Sequence, residues 1–320
     1  MAKKSKISTK LSLNKIFIAG GTGFLGQHLA ERLRKDKIPY VATSISRGID
    51  FRDLNNLKKI FKKEKPNIIV NVAAFVGGIQ FGYEKPAEIF LNNTLINANL
   101  IECAKEFGVS LFVNILPNCT YPGALDKPFK ENQWWDGPIH ESVLSYGMSR
   151  KASWVNAWAY HKQYGMNFAN LIFTNMYGPG DHFDEVRSHA LGALIKKIVA
   201  AKNKNEKEVV VWGSGDPIRE WLYVDDGVEA IMRAIKFRTS LGIEPINIGP
   251  GKGVSIKKLA QLIKKESGYK GKLVFDTSKP DGAPYKVFNV SKCKKSFGWV
   301  PKTKLEDGLK RTIKYYEEIY

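Results

Sequence analysis

The 320-residue sequence predicts an α/β fold, in which a doubly wound parallel sheet is joined to a smaller mixed α/β lobe. Three observations predict it. Through the first third, short apolar runs alternate with longer amphipathic ones, the βαβαβ rhythm of a parallel sheet with crossover helices. A glycine-rich stretch separates the first apolar run from the helix after it. Beyond residue 177 the rhythm loosens into loops and shorter elements, as a second, mixed lobe requires.

Taken in order, a strand is expected over 15–19, a helix from about residue 24, a strand over 39–43, a helix from residue 54 and a strand over 68–73. Long helices follow over 87–107 and 146–164, with strands over 110–115 and 167–173. After Tyr177-Gly178-Pro179-Gly180 come a helix near 191–201, a strand over 209–212, and further pieces around 255–267 and 272–275. The first domain is therefore expected to span 13–176, with 224–248 returning to it, and the second lobe to comprise 177–223 and 249–320. Residues 1–12 read as a disordered basic tail. No repeat or Pro/Ser-rich linker separates the lobes, so they are expected to pack together.

Composition narrows the function. Apolar residues make up 43% and charged residues 25%, ordinary for a globular protein, and no apolar run approaches the roughly 18 residues of a bilayer span. No membrane partner is expected. A net charge of +19 raises the question of nucleic acid. However, the lysines are scattered along helical segments (Lys58, Lys59, Lys62, Lys63; Lys196, Lys197; Lys257, Lys258) without interleaved aromatics, the pattern of solvated faces. No nucleic-acid partner is expected, although a field of this sign helps gather an anionic diphosphate. Cys103, Cys119 and Cys293 lie far apart, which excludes a zinc ribbon or disulfide framework and fits a reducing, cytoplasmic location. His28, His140, His161 and His182 show no ligand spacing, and no metal is expected.

Gly20-Gly21-Thr22-Gly23-Phe24-Leu25-Gly26 follows a strand and opens a helix. Glycines there permit a tight turn, let backbone N–H groups approach a pyrophosphate at the positive helix end, and allow helix and strand to pack closely. Gly20, Gly23, Phe24, Leu25 and Gly26 are the expected phosphate-loop positions of a Rossmann sheet. At the end of the second strand, where an Asp or Glu would bind a ribose 2′-hydroxyl, the chain reads Thr43-Ser44-Ile45-Ser46-Arg47. Ser44 and Arg47 suit a 2′-phosphate, so NADP(H) is the expected cofactor and NAD(H) the alternative, with Arg47 as a plain surface residue. In Asp50-Phe51-Arg52-Asp53, Asp53 is placed to meet the adenine.

Five segments carry a resemblance: Ala73-Ala74-Phe75-Val76-Gly77-Gly78-Ile79, Asn118-Cys119-Thr120-Tyr121-Pro122, Tyr177-Gly178-Pro179-Gly180-Asp181, Val211-Trp212-Gly213-Ser214-Gly215-Asp216-Pro217-Ile218-Arg219-Glu220 and Phe275-Asp276-Thr277-Ser278-Lys279-Pro280-Asp281-Gly282. From about residue 15 to residue 317 the chain resembles the extended short-chain dehydrogenase/reductases, the NAD-dependent epimerase/dehydratase group, and within them the GDP-L-fucose synthases. The resemblance implies epimerisation of GDP-4-keto-6-deoxymannose at C3 and C5, followed by reduction of C4 with NADPH. It adds Ala73 and Ala74 to the cofactor side.

That family's hydride machinery is a Ser, a Tyr and a Lys four residues after the Tyr. The Tyr is Tyr146, but Arg150 stands in the lysine's place, Lys151 points elsewhere on the helix, and Pro117 occupies the serine's place. Asn118 or Thr120 is then left to orient a carbonyl. Arg150 keeps a positive charge and several donors toward Tyr146 and the ribose, but differs from lysine in shape and reach. Cys119 and His189 stand at the family's acid/base positions, where a thiol and an imidazole serve near neutral pH. The same resemblance implies that Arg187, Arg219, Asp281 and Lys286 meet the nucleotide-diphosphate sugar, and that Trp212 lies against the base or else in the core.

Three functions follow as expectations: an NADP(H)-dependent epimerase and 4-ketoreductase of a GDP-linked 4-keto sugar; an epimerase whose cofactor is retained and not consumed; and a catalytically retired nucleotide-sugar-binding or interaction protein. The two long helices, with Trp154, Trp158 and Tyr160, carry apolar residues on more than one face and lead to the expectation of a homodimer.

Overall fold

The computed structural model describes residues 15–123, 127–184, 188, 190–279, 281 and 283–320, apart from the side chain of Ile79. The expected basic tail, 1–12, lies outside the described residues. In chain order the elements are β1 (Ile16–Ala19), α1 (Phe24–Lys35), β2 (Tyr40–Thr43), α2 (Leu54–Glu64), β3 (Ile68–Asn71), α3 (Ile79–Glu84), α4 (Pro86–Glu106), β4 (Leu111–Pro117), α5 (Leu144–Tyr164) and β5 (Phe168–Phe173). They continue as β6 (Asn175–Tyr177), α6 (Ala190–Asn203), β7 (Glu208–Trp212), β8 (Ile218–Tyr223), α7 (Val224–Lys236), β9 (Ile246–Ile248), β10 (Gly253–Ser255), α8 (Ile256–Ser267), β11 (Lys272–Asp276), β12 (Tyr285–Lys286), α9 (Ser291–Phe297) and α10 (Leu305–Ile319).

Six parallel strands form the main sheet in the order β2-β1-β3-β4-β5-β9. The winding reverses between β1 and β3, so the crossover helices leave a crevice at the carboxyl ends of these two strands. β1 and β3 are buried along their whole length because both faces are covered. On one face Leu25, Leu29 and Leu33 of α1 pack with Val228, Ile231 and Ile235 of α7. On the other, Leu57 and Phe61 of α2 and Leu100, Ile101 and Ala104 of α4 pack around Phe17 and Ile69.

Residues 224–248 run as α7 along the main sheet's core and then as β9 beside β5. The chain returns a second time, which the domain boundaries read from the sequence did not anticipate. Cys293 and Phe297 of α9, with Trp299, are buried in the same core as α1 and α7. A short apolar segment carries no mark of which core it will join, and only its distant partners decide.

The second lobe is mixed. β8 is flanked by β6 and β12 in parallel and β10 antiparallel, while β7 and β11 form a separate parallel ribbon. Leu194, Ile195 and Ile198 of α6, Leu259 and Ile263 of α8, and Leu309 and Ile313 of α10 make its core. Among the described residues, no helix is long and apolar enough to cross a membrane, and no three ligand-type side chains cluster as a metal site.

Candidate active site

The crevice opens at the β1–α1 turn. Gly20 sits at φ +91°, and a Cβ there would lie 2.7 Å from the backbone nitrogen of Ala73 on the neighbouring loop. A Cβ on Gly26 would run into the carbonyl oxygen of Gly20 and lie 2.8 Å from the Cα of Gly21. Both positions therefore exclude a side chain, one for conformation and proximity, the other for helix-to-turn packing. Gly20 and Gly21 donate to the Thr43 carbonyl at 2.9 Å each, which fixes the turn against β2. Gly23 caps α1 without a side-chain bond, and the first turn carries no acid, so its free N–H groups face the crevice uncompensated. Phe24 and Leu25 send their side chains into the core and contribute only backbone.

At the end of β2 three hydroxyls join the two halves of this cradle. Thr22 Oγ1 donates to Ser44 Oγ at 2.7 Å, and Ser46 lies 3.0 Å from Thr22 and 2.9 Å from Ser44. Arg47, on the same segment, is exposed, with Nη1 donating to the Ala42 carbonyl at 2.8 Å. A cradle without side chains, an uncapped helix start, and hydroxyls with an exposed arginine on the segment after β2 fit a dinucleotide with a 2′-phosphate. Asp53 is spent otherwise than expected. Its carboxylate caps α2 by accepting from Asn56 N–H at 3.0 Å, while Asp50 pairs with Arg52 at 2.6 Å.

Across the crevice stands α5. Arg150 is buried; its Nη2 donates to the Ala73 carbonyl at 3.0 Å, Nη1 to Asn97 Oδ1 at 3.0 Å, and Nε faces the Tyr146 hydroxyl at 3.4 Å. The loop after β3 and the start of α5 are thus tied through one guanidinium. Ala74 is exposed on that loop. Lys151 lies on another face, donating to the Trp134 carbonyl at 2.5 Å with Trp135's ring centroid 4.4 Å from Nζ, and burial pushes its pKa down.

The two candidates for the missing hydroxyl separate. Thr120 is fully buried and occupied, donating to the Pro117 carbonyl at 2.7 Å and accepting from Trp134 Nε1 at 2.7 Å. The sequence expectation for Thr120 is therefore corrected: its oxygen is locked into the Trp134 packing and offers nothing to a ligand. Asn118 Nδ2 makes only longer bonds, to Asn175 Oδ1 at 3.3 Å and Thr174 Oγ1 at 3.5 Å.

Cys119 sits in the turn after β4, held against α5 because residue 147 is glycine; a Cβ there would lie 3.1 Å from the Cys119 carbonyl oxygen. Burial pushes its thiol up to about 11, against the opposing charges of Lys286 and Arg150. Cys103 and Cys293 are also buried, pushed up to about 12 in apolar cores. Lys286 on β12 stands in register with Arg219 on β8, and burial lowers both, with Asp281 pulling Arg219 back up. Asp281 accepts from Ser214 N–H at 3.0 Å and Ser214 Oγ at 2.7 Å, beside the turn that begins at Trp212. Trp212 is 65% exposed, with Lys197 Nζ 4.8 Å from its ring centroid, so it is not a core residue. Arg187 and His189 lie outside the described residues.

Several residues at this site were missed in the sequence. Asn71 and Asn97 are buried partners at 2.7 Å beneath Arg150, and Glu220, fully buried behind Arg219, accepts from Phe288 N–H at 2.8 Å. Their signal was a polar residue where strand or helix periodicity asks for an apolar one.

Residues 16–249 match the model of the NAD dependent epimerase/dehydratase family. The chain is similar to the probable GDP-L-fucose synthase 1 of Oryza sativa subsp. japonica, 36% identical over 305 residues, covering 95% of this chain and 92% of that protein. Among solved structures it is similar to a GDP-6-OMe-4-keto-L-xylo-heptose reductase from C. jejuni, with TM-score 0.89, 28% identity, and coverage of 96% and 98% of the two chains. A GDP-mannoheptose C4 reductase from Campylobacter jejuni with NADP bound superposes with TM-score 0.86 at 29% identity, covering 95% and 98%.

Proposed function

Given that the chain belongs to the NAD dependent epimerase/dehydratase family, we propose that it is an NADP(H)-dependent epimerase and 4-ketoreductase of a GDP-linked 4-keto sugar. The observation that carries this reading is a convergence. Arg150 ties Tyr146 to the Ala73 carbonyl beside Gly20, and the Cys119 thiol feels the charges of both Arg150 and Lys286, the latter in register with Arg219 of the other lobe. Gly20, Gly23, Gly26 and the N–H groups of Phe24 and Leu25 hold the pyrophosphate, Ser44 and Arg47 the 2′-phosphate, and Ala73 and Ala74 flank the ribose. When bound there, NADPH would supply the hydride to C4. Tyr146 passes a proton to the sugar oxygen, with Arg150 favouring the phenolate that results. The 4-keto group acidifies its neighbouring carbons, where Cys119, a protonated thiol at neutral pH, gives a proton on one face and His189 takes one on the other. Arg187, Arg219 and Lys286 grip the diphosphate, and Trp212 and Asp281 the base.

Incubation with GDP-4-keto-6-deoxymannose and NADPH tests this. Loss of the nicotinamide band together with deuterium entering the sugar from D₂O is the expected result, and the absence of both signals would exclude the reading for that sugar. A second reading, an epimerase with retained cofactor, is favoured by one observation: Pro117 has no hydroxyl and that of Thr120 is occupied. Deuterium entry without NADPH loss identifies it. A retired binding protein would keep full biological function in the Tyr146→Phe and Cys119→Ala variants. We further place the enzyme in the cytoplasm, its cysteines being free, and as a homodimer through α4 and α5.

A further inference from the structure

Arg150 is a buried cation, 2% exposed, whose partners are the Tyr146 hydroxyl, Asn97 and the Ala73 carbonyl; no carboxylate pairs with it among the described residues. Its main anchor is an amide. Asn97 on α4, also 2% exposed, accepts at Oδ1 both from Arg150 Nη1 at 3.0 Å and from Asn71 Nδ2 at 2.7 Å. Its own Nδ2 has no hydrogen-bond partner among the described residues. The amide cannot be turned round, because two donors face its oxygen. Asn71 is fixed in its turn, since its Oδ1 accepts from the Ala73 N–H at 3.2 Å. These bonds close a ring from Asn71 through Ala73 and Arg150 to Asn97.

A carboxylate at position 97 would accept from the same two donors and leave no orphaned N–H. It would also neutralise the guanidinium. With an amide in its place the full charge survives in a dry setting, with Cζ 5.5 Å from the Tyr146 ring centroid and Nε 3.4 Å from the hydroxyl. An unfilled donor is thereby exchanged for an undiminished field at the phenol.

We propose that Asn97 is a positioning residue for proton transfer at Tyr146, a neutral anchor that fixes Arg150 on the loop after β3 without cancelling its charge. The inference rests on the role given to Tyr146 above. Other titratable groups drawn to this corner are Cys119 from the turn after β4 and Lys286 from β12; neither lies on α4, so a change at 97 leaves them in place.

The test needs no substrate. The phenolate absorbance of Tyr146 is isolated as the difference between each protein and its Tyr146→Phe counterpart and titrated with alkali. In Asn97→Asp the midpoint is expected to rise above the parent's, because the new carboxylate cancels the nearby cation. Its melting temperature should equal or exceed the parent's. Asn97→Ala, which removes the anchor and adds no charge, is expected to shift the midpoint upward by less. A parental midpoint in both variants, or an Asp variant melting well below the parent, overturns the proposal. Where turnover is measurable, Asn97→Asp should lower kcat about tenfold at neutral pH with KM within about twofold, and raising the pH should not restore it, because the neutral phenol is the donor. A kcat that falls only in step with stability would point to a purely structural residue. If the sugar proposed above is wrong, the titration result still stands, so the two failures are distinguishable.

Discussion

Arg47, proposed above to meet the 2′-phosphate, is one side chain on which the choice of cofactor can be tested. It is anchored to the Ala42 carbonyl on the segment that carries Ser44 and Ser46, with no acid anywhere between Thr43 and Ile49. A charge-assisted bond to a 2′-phosphate contributes about 1.5–3 kcal/mol. Arg47→Ala should therefore weaken NADPH by about 10- to 100-fold in a fluorescence titration and leave NADH almost unchanged. Equal losses for both cofactors would remove the 2′-phosphate role. Asp53 makes the opposite case, a residue with a plausible ligand that its own helix has claimed. Asp53→Ala should cost about 1 kcal/mol of stability through the lost cap and leave cofactor affinity alone. Weaker cofactor binding at unchanged melting temperature would return it to the adenine.

At the scale of elements, periodicity locates helices but not the direction in which their broad faces turn. Of the aromatic residues read from the sequence as lying on more than one face of α5, Trp154 donates inward to the Ile243 carbonyl at 3.1 Å and Tyr160 to Glu102 of α4 at 2.6 Å. Only Trp158 remains on the exposed side. Another element-level tie was invisible in the sequence. His28 of α1 has Nε2 2.7 Å from the Pro179 carbonyl and Nδ1 3.2 Å from Asp225 of α7. Burial lowers its pKa, but the bonds to Asp225 and Pro179, with the charges of Asp225 and Glu31, outweigh this and raise it overall. The folded state thus holds the proton more tightly than the unfolded one. This contribution is complete below the unfolded value and is lost as pH rises through the higher folded value. Stability of the parent should decline from about pH 6.5 upward by this term, and His28→Asn should flatten the decline in thermal melts across that range. An equally steep profile in the variant would show that the tie does not govern it.

Across the whole molecule, exposed apolar side chains gather on the paired helices: Phe90, Leu91 and Leu95 of α4, Met148, Val155 and Trp158 of α5. A face of this kind suits a second copy of the chain, since a two-fold contact is self-complementary. The parent is expected to sediment as a dimer at micromolar concentration and Leu91→Glu/Trp158→Glu as a monomer. A monomeric parent would contradict the assignment. If Arg219 and Lys286 meet an anionic diphosphate as proposed, the net charge of +19 favours its capture, and salt should weaken that binding.

The sheet, the glycine turn and the position of Tyr146 were determined by the sequence alone, because each rests on local rules: alternation of apolar runs, glycine where no Cβ fits, four-residue spacing on one helix face. Tertiary structure alone decided that α9 rejoins the first core, that Lys286 stands beside Arg219, that Thr120 is locked under Trp134, and that Asn71 and Asn97 hold Arg150. Each of these pairs residues far apart in the chain. Their meeting depends on how whole elements pack, and no local pattern in the sequence encodes that distance.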